Sequence, residues 1–327
     1  MVSPILLVFL GLAALSVGRY PVTLESLFRI VATPFSPAVS GSAGMDRTVV
    51  LVVRLPRVLT AMLVGSALAT SGAALQGVFR NPLVSPGILG VASGAGLGAA
   101  LCILLFGRSA LLVQGSAFMF GILAMMLALA ISGRTRKGSV LVLVLAGVVV
   151  SALAEALISL VKYVADPEDT LPAIVFWLMG SLSGITVSSF LHVLFPITAG
   201  IIVLILMRWR ISVLSLGDND AQSLGVHVGM SRAMVVTATT VVTAAAISVA
   251  GIVGWVGLVV PHIARMFVGP DHRLVIPVSA VIGAMYLLVI DTLARSVISA
   301  EIPLSILTAV VGAPVFAIML RKTGGRW

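Results

Sequence analysis

Apolar runs set off by polar residues or by Gly and Pro fall at about 3–18, 50–79, 87–106, 110–132, 140–163, 190–207, 233–250, 253–268, 274–298 and 304–320. Most approach the ~20 residues that carry an α-helix across a bilayer. None alternates apolar and polar residues as the strands of a membrane β-barrel do. The pattern predicts an all-α, polytopic membrane protein of about ten transmembrane helices, residues 1–327 forming one domain. Gly251, Gly254, Gly257 and Pro261 interrupt the eighth run and predict a broken or re-entrant helix there. The first run lacks a basic leader and a small-residue cleavage site, so it is read as a helix rather than a signal peptide.

Two breaks between the runs are long. Residues 19–49 hold a short helical pattern around VTLESLFRIV, and 164–189 hold an acidic loop, DPEDTLP, before a partial helix, FWLMGSLSG. A third polar stretch, 208–232, contains Asp218, Asp220, Ala221 and Gly225, which read as a short helix with an Asp or Asn cap and a Gly stop.

Composition agrees with the pattern: 60% of residues are hydrophobic and 9% charged, against roughly 25% charged in soluble domains. The net charge of +9 comes from basic residues scattered singly at the ends of apolar runs, without the basic stripe or motif of a nucleic-acid binder. Basic residues are more frequent on cytoplasmic segments. Placing RKTGGRW and the dense GRTRKGS inside puts both termini in the cytoplasm. It also puts 208–232 there, where a soluble partner can grip it.

No GxxxxGK[ST], HExxH, GxSxG or paired Cys/His spacing is present, so energy must come from a partner or an ion gradient. The single cysteine, Cys102, lies within an apolar run and reads as a small hydrophobe. His192, His227 and His272 are isolated, while His262 and Arg265 flank the Pro261 break and read as supports of a bent helix rather than ligands for metal or haem.

The fifth run carries chemistry of its own. Ser151, Glu155, Ser159 and Lys162 are spaced 4, 4 and 3, confining them to an arc of about 80°. A polar stripe on an apolar helix faces a wet cavity or a partner helix rather than lipid. Passage along Glu155 and a structural hydrogen bond within the bundle are equal readings. Ser305, Thr308 and Gly312 give the tenth run a similar edge. Gly90, Gly94 and Gly98 form a double GxxxG, a pattern for close helix packing.

Arg54-Leu-Pro-Arg57, Gly65, Gly72, Gln76, Arg80-Asn-Pro-Leu83, Pro86-Gly87, Leu89-Gly90 and Ser93-Gly94-Ala95 together resemble the FecCD family, permease subunits of ABC importers for iron-siderophore, haem, vitamin B12 and related chelates. Leu216-Gly217 with Ala221 and Leu224-Gly225, Gly257 to Arg265, Asp271-His272-Arg273, Asp291, Ala294-Arg295, Glu301-Ile302-Pro303 and Gly312-Ala313-Pro314 extend the resemblance to the end of the chain. Ser305 departs from it, standing where the family usually has glycine.

The resemblance implies the vitamin B12 importer permease fold and an inner-membrane homodimer. That dimer takes two cytoplasmic ATPase subunits, which hold the ATP and Mg, and a periplasmic or lipoprotein binding protein. This chain itself would hold no cofactor or metal and contact no nucleic acid. Arg54, Arg57 and Arg295 would dock the binding protein, with snorkelling to the lipid interface as the competing reading. At a helix mouth such charge escapes the ~2.5 to 3.5 kcal/mol it costs mid-bilayer. Leu216, Gly217, Asp218, Asp220, Ala221, Leu224 and Gly225 would form the ATPase coupling helix, against a plain solvated loop. Asn81, Leu83, Ser139, Val140 and Leu141 would lie at the cytoplasmic gate. The pathway would run along Ser151, Glu155, Ser159 and Lys162 and along Ser305 and Thr308. Iron(III)-siderophore is the expected cargo, with haem, cobalamin and molybdate or tungstate as alternatives. An ion-coupled secondary transporter is the rival of another class, with Glu155 as its one intramembrane candidate.

Overall fold

A computed structural model describes residues 4–18, 20–32, 42–133, 140–298 and 300–323, and the regular structure among them is helical throughout. α1 (Pro4–Ser16), α2 (Leu24–Ala32) and α3 (Ser42–Thr48) precede a π-helical turn, Val49–Arg54, that runs without a break into α4 (Leu55–Phe79). A 3-10 turn, Pro86–Leu89, leads into α5 (Val91–Phe106), followed by α6 (Ala110–Ser132), α7 (Val140–Val164) and α8 (Thr170–Met179). α9 (Val187–Leu206), α10 (Arg208–Leu214) and α11 (Asp218–Ser223) come next. The chain closes with α12 (Val228–Ala250), α13 (Val256–Val268), α14 (His272–Ser296) and α15 (Leu304–Thr323).

Helix covers most of every apolar run. Six helical stretches are long and apolar enough to cross a membrane: 44–79, 110–132, 141–164, 187–206, 228–250 and 272–296. Five shorter apolar helices, within α1, α5, α8, α13 and α15, accompany them. The expected interruption of the eighth run falls at Gly251 and Gly254 only: residues 251–254 carry no regular structure and α13 starts after them, while Gly257 and Pro261 lie inside that helix without breaking it. At that start Trp255 adopts φ +68°, a left-handed conformation strained for a bulky residue. Its ring meets Phe316 of α15 edge-on at 6.5 Å.

α4 and α12 are the buried centre, and small residues set how closely their neighbours approach. A Cβ on Gly65 would lie 2.1 Å from the Gly283 carbonyl oxygen of α14, and one on Gly72 would lie 1.9 Å from the Gly257 oxygen of α13. With little hydrophobic drive between helices in lipid, such backbone contact is a main source of packing energy. Gly94 and Gly98 seat α6 on α5 in the same way, against the Phe120 and Ser116 carbonyls. Gly90 departs from the GxxxG expectation: at φ +86° it is the turn that starts α5, lying beside Gly147 and Val150 of α7.

The small, polar edge predicted on α15 points inward. Thr308 is fully buried and its hydroxyl donates to the Ser305 carbonyl at 3.2 Å, while Gly312 lies under Trp255. Ser305 is half-buried. Thr308 is therefore a packing residue of the protomer rather than a pathway residue, because its hydroxyl is satisfied one turn back along its own helix.

Candidate functional site

Polar side chains gather at both ends of the bundle and along one open face. The end of α4 that bears Arg57 holds a network of ion pairs. Arg57 donates Nε to Asp291 Oδ1 at 3.0 Å and Nη2 to the same oxygen at 2.8 Å. It also reaches Glu301, Nη2 to Oε1 at 2.6 Å and Nη1 to Oε2 at 3.2 Å. Ser181 Oγ donates to Glu301 Oε1 at 2.8 Å, so α4, α14, the segment before α15 and the α8–α9 loop meet on one guanidinium. Asp291 is wholly buried and Arg57 nearly so.

Arg54 and Arg295 turn inward as well. Arg54 donates to the Leu15 and Ser16 carbonyls at 2.7 and 2.9 Å and to that of Tyr20. Arg295 donates to the Val17 carbonyl at 2.7 Å and to the Ala14 carbonyl, and its Nε lies 3.7 Å from Asp291. The last four carbonyls of a helix lack intrahelical donors, and these two guanidiniums cover those of α1. None of the three arginines presents a free charge, as docking by all three would need. Snorkelling does not describe them either, since their partners are carbonyls and carboxylates of this chain. At the same end a cavity of about 550 Å³ is lined by Arg108, Gln114, Trp177, Ser181 and Ser189 among others. No residue of the α7 stripe reaches it.

The other end, marked by Arg80, ties the turn after α4 to three further elements. Arg80 takes a left-handed φ of +50° to end α4, and Asn81 Oδ1 accepts the Leu83 N–H at 2.9 Å to shape the turn. His262 of α13 holds the Pro82 carbonyl through Nε2 at 3.2 Å. Its Nδ1 accepts from Arg265 at 3.1 Å, and Arg265 also donates to Gln76 at 2.7 Å. Because a guanidinium only donates, the imidazole carries its proton on Nε2, toward Pro82. His262 and Arg265 thus tie α13 to α4 and to the turn that follows it.

Asp218 of α11 links the same turn to α12, lying 3.5 Å from Arg80 and 3.0 Å from Arg232. The predicted short helix is present over Asp218–Ser223, but its N-cap is Gly217 and no side chain caps it. The Asp218 carboxylate pairs with arginines instead. Ala221 is fully buried in the core of this protomer, so it sets the seating of α11 on the bundle and cannot be the close-approach point for a partner. Gly217 is buried too, whereas Asp220 and Gly225 are exposed. Leu216, Leu224 and Met230 are exposed apolar residues around α11.

Asp271 caps α14. It accepts the Arg273 N–H at 2.9 Å and the Ser212 hydroxyl at 2.9 Å. The Arg273 N–H is the main cause that holds its carboxyl below the usual range. Asn81, Leu83 and Leu141 are exposed at this end; Ser139 and the side chain of Val140 lie outside the described residues.

On α7 the buried positions are Leu143, Ala146, Gly147, Val150, Ala154, Ile158 and Val161. Each stripe residue directly follows a buried one, so the stripe runs along the edge of the packed seam, ~100° round from it. Glu155 and Ser159 are exposed, and Ser151 and Lys162 half-buried. Ser93 of α5 donates to Glu155 Oε1 at 3.2 Å, and Ser159 to the Glu155 carbonyl at 2.9 Å. Among the described residues no three His, Cys, Asp or Glu cluster as a metal site would need.

The model of the FecCD transport family matches residues 6–322. The molybdate import system permease protein MolB of Haemophilus influenzae is 39% identical over 97% of this chain and 94% of its own length. A probable iron chelatin transport system permease protein of Helicobacter pylori is 41% identical over 85% of this chain and 83% of its own. Among solved structures, a metal-chelate type ABC transporter in an inward-facing conformation superposes with a TM-score of 0.87 at 39% identity, covering 97% of both chains.

Proposed function

The chain belongs to the FecCD transport family, and from that premise we propose that it is the permease subunit of an ATP-driven importer for a metal chelate, iron(III)-siderophore first among them. The Arg80 end carries the reading. There a short helix, α11, is seated by the buried Ala221, rimmed by exposed Leu216, Leu224 and Met230, and tied through Asp218 to the turn at Asn81–Leu83. This is what a lever worked by a soluble partner requires: an apolar grip outside and a firm connection inside. Two ATPase subunits, which hold ATP and Mg, would each take one such grip on a dimer of this chain.

The Arg80 end then lies in the cytoplasm. α1 runs toward the Arg57 end and α15 away from it, so residues 4 and 323 share the cytoplasmic side of the inner membrane. The Arg57 end would face the binding protein. Of its three arginines Arg57 is the one a partner's carboxylate would reach by displacing a side chain, since Glu301, which pairs with it, is only partly buried. Arg54 and Arg295 serve to hold α1.

The test is purification of the tagged chain from its own membranes. An ATPase should come with it and be lost from the Leu216→Asp, Leu224→Asp double variant. Proteoliposomes of that complex, given the binding protein, should take up ferric siderophore on ATP. Uptake that needs a proton gradient and ignores ATP would establish the secondary transporter instead. Molybdate is the second reading, favoured by the 39% identity to MolB, and the ligand of the binding protein separates the two.

A further inference from the structure

We infer that Glu155 faces a water-filled passage near the bilayer mid-plane and makes that passage cation-preferring, so that what crosses is a neutral or cationic chelate rather than a free oxyanion. The part about cargo rests on the importer reading; the wet, negative face does not.

Position comes first. α7 spans Val140–Val164, so Glu155 lies three residues beyond its middle, about 4.5 Å along the axis. Too deep to reach either headgroup layer, its carboxylate is nevertheless exposed on the protomer. A carboxylate facing hydrocarbon at that depth is strongly disfavoured, and intramembrane ionisable groups face a cavity or a partner. The protein solvates it only partly, through one hydroxyl, that of Ser93 at 3.2 Å. The remaining acceptor sites of the carboxylate need water or cargo.

Charge comes second. α5, the helix packed beside this edge, carries no charged residue, and the other charge on the stripe is Lys162, seven residues further along, about 10 Å along the axis. The mid-depth field is therefore that of Glu155. Because Thr308 of α15 is turned inward, this edge of α7 carries the polar character that the sequence divided between two helices.

The test uses thiol reagents of opposite charge on the assembled complex. In a Cys102→Ala background, Ser151→Cys places a thiol one turn from Glu155 and far from Lys162. Cationic and anionic methanethiosulfonates should both react, with the cationic reagent favoured. Adding Glu155→Gln should lower the cation-to-anion rate ratio by about threefold or more, the size expected of one charge at this spacing in water. Glu155→Asp should keep the ratio high and Lys162→Gln should leave it unchanged. Failure of either reagent to react would show the face to be covered by lipid or by the second copy, and a ratio indifferent to Glu155→Gln would show that the carboxylate does not govern the field. Either result overturns the inference. ATPase copurification is scored on the same preparation, so loss of the importer reading is seen separately.

Discussion

The side chains at the Arg57 end show how far apart in sequence the parts of one site can lie. Arg57 and Asp291 are 234 residues apart, and no local pattern pairs them. The sequence marks Arg54, Arg57 and Arg295 as rim charges, which they are, but their partners emerge only in the fold. Removing Arg57 alone strips the wholly buried Asp291 of its hydrogen-bonded counter-charge and leaves it only Arg295 at 3.7 Å, and breaking a buried pair typically costs 3 to 5 kcal/mol. Arg57→Ala should therefore lower the thermal midpoint in detergent sharply. Arg57→Met with Asp291→Leu should recover much of the loss, since a buried pair replaced by apolar groups is often neutral. If the double variant is as unstable as the single, the pair itself and not the orphaned charge sets stability. Asp271 makes a smaller and pH-dependent contribution. Asp271→Ala should cost about 1 kcal/mol as a lost helix cap. Its carboxyl titrates lower folded than unfolded, so the stabilisation is complete above about pH 4 and drains away as pH falls through the folded value. The variant should thus differ from the parent at neutral pH and converge with it in acid.

At the scale of elements, the apolar runs were legible because a helix in lipid must be apolar for most of its length, a demand the sequence cannot disguise. α10, Arg208–Leu214, was not: it is short, starts with two arginines around a tryptophan, and buries Ile211, Val213 and Leu214 against the bundle. The orientation of α15 was illegible for another reason. Ser305, Thr308 and Gly312 share one edge whether that edge meets water or Trp255, and spacing cannot tell the two apart. Glycines were legible as packing sites but not as particular contacts. The Gly65–Gly283 approach offers the clearest test. In Gly65→Ala the new Cβ would lie 2.1 Å from a backbone oxygen, so α4 and α14 must separate along much of their length. Overpacking of this kind typically costs 1 to 3 kcal/mol. Gly115→Ala, where a Cβ meets nothing within 4 Å, should leave the thermal midpoint in place. Equal effects of the two would show that helix propensity rather than contact governs these sites.

For the whole molecule the question is how an event at α11 reaches the far side of the bundle. Asp218 contacts Arg80 at 3.5 Å and Arg232 at 3.0 Å, and the Arg80 turn is held in turn by His262 through Pro82. His262 meets Phe316 at 5.5 Å, and Phe316 meets Trp255 at the strained start of α13. A displacement of α11 therefore has a contiguous path of packed groups through the bundle to α13 and α15. Such a path is a route for coupling only if breaking it uncouples the ends. Asp218 is the link to break, because it is partly exposed. Pairs of that kind contribute ~0 to 1 kcal/mol to stability. Asp218→Asn should therefore leave folding and ATPase binding intact, and ATP hydrolysis near its parental rate. Uptake per ATP hydrolysed should fall several-fold in reconstituted vesicles. An unchanged ratio would mean that α11 moves the bundle through the buried seat of Ala221 alone, and Ala221→Leu would then be the variant that uncouples.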